Sequence, residues 1–250
     1  ATDLAALDCI AQADLAASGT VSPLELVEAA VARVERLNPE LNAVTFADFE
    51  RARAAAPNAR GPLAGVPYLL KDLNAYAGMP LTRGSRLFAD QVSEAQSPFT
   101  DRIDGAGLVV LGKSNTPEFG LLPTTEPLLH GPTRNPWNLA HSTGGSSGGA
   151  AAAVAARIVP AAQASDGGGS IRIPAAQCGL VGRKPSGGRF PDQGYGQQAW
   201  PISIKHAVTH SVRDSALLLA LPALTEGGSL LPVGFTVRER LAPQRIAVTV

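Results

Sequence analysis

One lysine and two serines are the residues whose types and spacing could do chemistry in this chain. Lys71 ends the apolar run Leu63-Ala64-Gly65-Val66-Pro67-Tyr68-Leu69-Leu70, Ser146 lies within Gly144-Gly145-Ser146-Ser147-Gly148-Gly149, and Ser170 lies within Asp166-Gly167-Gly168-Gly169-Ser170-Ile171-Arg172. Acyl transfer without histidine needs a nucleophile, a base for its proton, a donor for the leaving amine and N–H groups aimed at the developing oxyanion. Ser170 suits the nucleophile, Ser146 a proton relay and Lys71 the base. A lysine base must be a neutral amine. Burial at the end of an apolar strand favours that form, while the adjacent Asp72 carboxylate opposes it. Gly167, Gly168 and Gly169 can turn backbone N–H groups toward a substrate without Cβ clashes, and with the Ser170 amide they form the candidate oxyanion hole. Asp166 and Arg172 read as residues that order this loop. The first run could alternatively cradle a phosphate, but it lacks the Gly-Lys-Ser/Thr ending of a Walker loop.

The elements that must position these groups alternate between helix and strand. Apolar spacing predicts a helix over 2–18, and Ser22-Pro23-Leu24-Glu25 opens a second one to about Leu37, where Asn38-Pro39 should stop it. Val44-Thr45-Phe46 reads as a strand, 47–56 as a helix, the run before Lys71 as a buried strand and Ser97-Pro98 as the start of a capped helix ending near Gly105. Leu108–Lys113 reads as a buried strand and 120–143 as a long ordered loop. An alanine-rich helix from Gly149 to Ile158 follows the first glycine-serine run, and the strand Val159–Ser165 leads into the second. Ile171-Arg172-Ile173-Pro174 can start a short helix, Ser211–Leu221 reads as another, and Arg245–Val250 as a strand. The pattern predicts an α/β fold, a mixed and largely parallel β-sheet flanked by helices. A chain ending on a strand is expected to continue in its natural form.

These blocks carry a resemblance to the amidase signature family. The match runs from Gly144 to Ala175, taking in the glycine-serine run, the small-residue helix and then Asp166, Gly168, Ser170, Ile171, Arg172, Pro174 and Ala175. The intervals Lys71 to Ser146 and Ser146 to Ser170 also agree. Gly65–Leu73, Gly112–Gly120 and Thr133–Asn138 are similar to blocks of its bacterial small-molecule members. The resemblance implies hydrolysis of a linear or cyclic amide through an acyl-enzyme on Ser170, with Lys71 as base and Ser146, on a cis Gly145–Ser146 bond, as shuttle. It implies one domain portion, incomplete at the far end, with a helical segment over 1–60 and a catalytic core over 61–250.

Composition fits this reading. Over 250 residues the charges balance at 21 basic and 21 acidic, which leaves no field of one sign to draw nucleic acid or an anionic membrane. Small neutral partners fit better, and a homodimer stays open. Cys9 and Cys178 are too few for a disulfide framework; with no signal-peptide pattern or long apolar span, the expected location is cytoplasmic. Cys178 reads as a buried small residue. His130, His141, His206 and His210 lack metal spacing, so no metal or organic cofactor is expected; His141 is a candidate to border the pocket. Two other functions compete: the amidase-like A subunit of a tRNA-dependent amidotransferase, and an inactive scaffold or interaction module.

Overall fold

The structure, a computed structural model, describes residues 3–187 and 203–221. The strand expected at Arg245–Val250 lies outside the described residues. Helices α1 (Cys9–Ala17), α2 (Pro23–Leu41), α3 (Phe49–Ala55), α4 (Pro98–Gly105), α5 (Gly148–Ala155), α6 (Arg172–Cys178) and α7 (Val212–Ala220) alternate with strands β1 (Val44–Ala47), β2 (Pro67–Lys71), β3 (Val109–Ser114), β4 (Arg134–Asn135), β5 (Asn138–Ser142), β6 (Ala161–Asp166), β7 (Val181–Gly182) and β8 (Ile204–Thr209).

A six-stranded sheet in the order β1-β3-β2-β6-β8-β7 carries the fold. Only β3-β2 and β2-β6 are parallel, so the largely parallel sheet expected from the alternation is corrected to one with a parallel centre and antiparallel flanks. The helical segment 1–60 supplies edge strand β1, which joins this same sheet. Two apolar layers cover its faces. On one, Val27, Val31 and Val34 of α2, Ala52 of α3 and Ala150, Ala152 and Ala153 of α5 pack against Leu69, Leu111 and Ala164. On the other, Cys9 of α1, Phe99 and Ile103 of α4 and Leu218 of α7 pack against Tyr68, Leu70 and Val110. Alternation along β2 is what sends Leu69 one way and its neighbours the other.

Local chemistry sets the ends of these elements. Ser22 accepts from the Glu25 amide at 3.2 Å and Glu25 accepts from the Ser22 amide at 2.7 Å, the reciprocal cap the sequence predicts. The helix does not stop at Asn38. It continues through Pro39 to Leu41, because a proline in the last turn costs few backbone bonds and Asn42, at φ 49°, closes the end. The Asn38 side chain then accepts from the amides of Ala43 and Val44 and steers the chain into β1. The predicted first helix is shorter than expected: Leu4–Ala6 is a separate 3-10 turn, and Asp8 caps α1. The stretch 120–143, expected as a loop, contains the β4-β5 hairpin, and β7 and β8 are strands that the sequence pattern does not announce. Both cysteines are buried free thiols. Among the described residues no helix is long and apolar enough to cross a membrane.

α5 passes unusually close to its neighbours. A Cβ on Gly149 would lie 2.3 Å from the Asn115 amide nitrogen and 2.6 Å from the Ala43 carbonyl oxygen. Residues Gly148 to Val154 are all buried, so the helix start is pressed against the strand ends that carry the polar residues below.

Candidate active site

β2 delivers Lys71 into the protein at its C-terminal end, fully buried. Its backbone is held on both sides: the Lys71 amide donates to Gln163 Oε1 at 3.0 Å, and its carbonyl accepts from the amides of Leu73 and Asn74. Lys71 Nζ meets three hydroxyls, Ser146 Oγ at 2.7 Å, Ser147 Oγ at 2.9 Å and Ser165 Oγ at 3.1 Å. Burial lowers its pKa from 10.5 to about 7, against the pull of the Asp166 charge. An amine titrating there is neutral for much of its time at physiological pH.

Ser146 and Ser147 stand where the glycine-serine run enters α5. The Gly145–Ser146 peptide is cis. Thr125 stitches this entry, donating to the Gly144 carbonyl at 2.9 Å and accepting from the Gly148 amide at 3.1 Å.

Ser170 sits on the turn between β6 and α6. Asp166, its carboxylate buried, organises that turn by accepting from the Gly169 amide at 2.7 Å, the Ile171 amide at 3.1 Å and the Arg172 guanidinium at 2.9 Å. Burial raises its pKa, but Arg172 and the loop amides outweigh that and leave it below the usual carboxylate value. Both residues thus do what the sequence suggested, ordering the loop. The Gly169 amide is thereby committed to Asp166, which narrows the candidate oxyanion donors to Gly167, Gly168 and Ser170. The charge that acts against neutral Lys71 is Asp166, and Asp72, expected in that role, faces elsewhere. Its carboxylate turns to Thr82, accepting from both the amide and the hydroxyl.

A cavity of about 650 Å³ opens over these groups. Ser146, Ser165, Gly167, Gly168 and Ser170 line it on the polar side, and Phe119, Leu121, Leu122 and Ile173 on the apolar side. The structure therefore joins Lys71 to Ser146 directly and places Ser146 and Ser170 in the lining of one cavity. His141 does not border the cavity; it is exposed on β5. No cluster of metal-ligating side chains occurs among the described residues. Sequence reasoning missed Ser147, Ser165 and Gln163. The period-two spacing of Gln163 and Ser165 on β6 was the available signal, since one reaches the Lys71 amide and the other its amine.

A triad-like lysine and serines at the end of a mixed sheet defines a known class. The Amidase family model matches residues 25–224, and the chain belongs to that family. It is similar to an acylamidase from Rhodococcus erythropolis, 43% identical over 216 residues covering 83% of this chain and 45% of the relative. It is also similar to a 6-aminohexanoate-cyclic-dimer hydrolase from Paenarthrobacter ureafaciens, 50% identical over 186 residues covering 73% and 38%. Among solved structures, a 6-aminohexanoate cyclic dimer hydrolase complexed with substrate superimposes with a TM-score of 0.86 at 42% identity, covering 95% of this chain and 50% of that one. The chain thus spans half or less of the length of these relatives.

Proposed function

We propose that the chain carries the catalytic residues of an amidase that hydrolyses the carbon–nitrogen bond of a small linear or cyclic amide. Residues 61–250 form its core and residues 1–60 a segment that buttresses it. Ser170 Oγ attacks the amide carbonyl carbon; its proton passes to Ser146 Oγ while Ser146 gives its own to Lys71 Nζ. The carbonyl oxygen becomes an anion and accepts from the amides of Gly167, Gly168 and Ser170. When the tetrahedral centre collapses, the C–N bond breaks and the proton returns through Ser146 to the leaving nitrogen. Water repeats the sequence on the Ser170 ester, releasing the carboxylic acid and restoring the hydroxyl.

The observation that carries this reading is the buried Lys71 amine 2.7 Å from Ser146 Oγ, with Ser146 and Ser170 facing one cavity. The cyclic dimer of 6-aminohexanoate for which the similar hydrolases are named supports a small amide with an apolar body, which Leu121, Leu122 and Ile173 of the cavity lining suit. Cytoplasmic placement belongs to the same reading, supported by the two thiols. The test is labelling of the chain by a fluorophosphonate together with hydrolysis of short amides. Labelling at Ser170 that disappears in Ser170→Ala is expected. A folded chain that takes no label favours the inactive-scaffold alternative, and ammonia release from glutamine only with a partner protein favours the amidotransferase one.

A further inference from the structure

Lys113 is a second fully buried lysine, on β3 beside Leu70, and it does not line the cavity. Its Nζ donates to the Asn74 carbonyl. Asn74 in turn sends its amide to the Lys71 carbonyl at 3.0 Å, and its Nδ2 shares Gln163 Oε1 with the Lys71 amide. Asn74 and Gln163 thus close a ring of bonds around the backbone of Lys71, and Lys113 anchors that ring through the Asn74 carbonyl. It is also the cation acting on the buried Asp72 carboxylate, the residue next to Lys71 in the chain. A buried amine is costly to keep unless it meets a partner of this kind.

We propose that Lys113 is a positioning residue for Lys71: it fastens the turn after β2 and offsets the Asp72 charge, so that this neighbouring carboxylate does not hold a proton on the Lys71 amine. The inference rests on Lys71 being the base. Of the charged groups near this end of the sheet, Asp166, paired with Arg172, acts on the Lys71 amine directly; Asp72 follows Lys71 in the chain and Lys113 acts on Asp72, Lys205 of β8 and Arg83 line the cavity, and His130 stands 3.3 Å from the Thr82 hydroxyl. Removing Lys113 deletes a like charge and uncovers Asp72, and both changes favour protonated Lys71. Removing the Asp72 charge leaves Lys113 uncompensated and favours the neutral amine.

The chain has four lysines, Lys71, Lys113, Lys184 and Lys205, so lysine labelled at the ε-carbon gives four NMR signals, with Lys71 assigned by its loss in Lys71→Met. Lys113→Met is expected to move the Lys71 titration midpoint up by about one unit, Asp72→Asn to move it down, and the double variant to return it close to the starting value. Lys113→Arg, which keeps the charge, should hold the midpoint and covers the case in which Lys113→Met fails to fold. Single variants that leave the midpoint in place, or move it the same way, overturn the proposal. These midpoints are read without turnover, whereas failure of the base assignment appears separately, as a Lys71→Met chain that still labels Ser170 at the original rate.

Discussion

Replacing Lys71 by methionine should separate stability from activity. In the unfolded chain the amine titrates near 10.5 and in the folded one near 7, so between those pH values the unfolded state binds one more proton than the native state. Linkage then makes the wild-type chain gain stability with rising pH, by about 1.4 kcal/mol per unit, and the penalty at and below pH 7 reaches roughly 5 kcal/mol. Methionine removes that penalty but also three bonds to Ser146, Ser147 and Ser165, worth about 1 kcal/mol each. The variant should therefore be more stable than wild type at pH 7 by about 2 kcal/mol, and less stable at pH 10 by a similar margin. Urea unfolding of both chains at pH 7, 8, 9 and 10 measures the difference. A gap that stays constant across that range would refute the argument, because it would mean that the lysine titrates alike in both states. Acylation of Ser170 should meanwhile fall by about 10²–10⁴-fold.

The fluorophosphonate labelling rate of the wild-type chain should rise with pH to a plateau with a midpoint near 7, dropping about tenfold per unit below it, since only the neutral amine accepts a proton; a midpoint near 10.5 would contradict this. Asp166→Asn should shift that midpoint down, by deleting the charge that favours protonated Lys71, and should also slow labelling as the Gly169 and Ile171 bonds weaken; an upward shift would be inconsistent with it. Gly120→Ala should cut labelling at least tenfold and lower the melting temperature by a few degrees, because the added Cβ would lie 2.7 Å from a Leu73 methyl and 3.2 Å from Ser146 Oγ at a φ of +69°; retained labelling in the folded variant would show that Ser146 can give way.

Much of the site was legible because its residues sit in short motifs. Lys71 after an apolar run, and serines inside glycine runs, carry their chemistry in local sequence, and the loop-ordering roles of Asp166 and Arg172 followed from their place beside the same glycines. What escaped depended on tertiary contact. Ser165 looked like the unremarkable end of a strand until its hydroxyl met an amine 94 residues earlier in the chain. The Gly169 amide looked as free as its neighbours until Asp166 took it. Pro39 is a stop signal in sequence, but Asn38 and Asn42 make the helix end workable at Leu41. The β4-β5 hairpin is too polar and exposed to show strand alternation, and β8 is set by the antiparallel partner β6 offers it.

The alanine helix α5 also decides how such a chain can be altered. A segment whose every position from Gly148 to Val154 is shut in, and whose second glycine already grazes two backbones, has no room for diversity, so libraries aimed at new amides gain nothing there. Variation belongs instead on the far rim, at Leu121 and Leu122, which are 79% and 55% exposed and border the cavity. The smallest residues of this chain are the ones an engineer should leave alone.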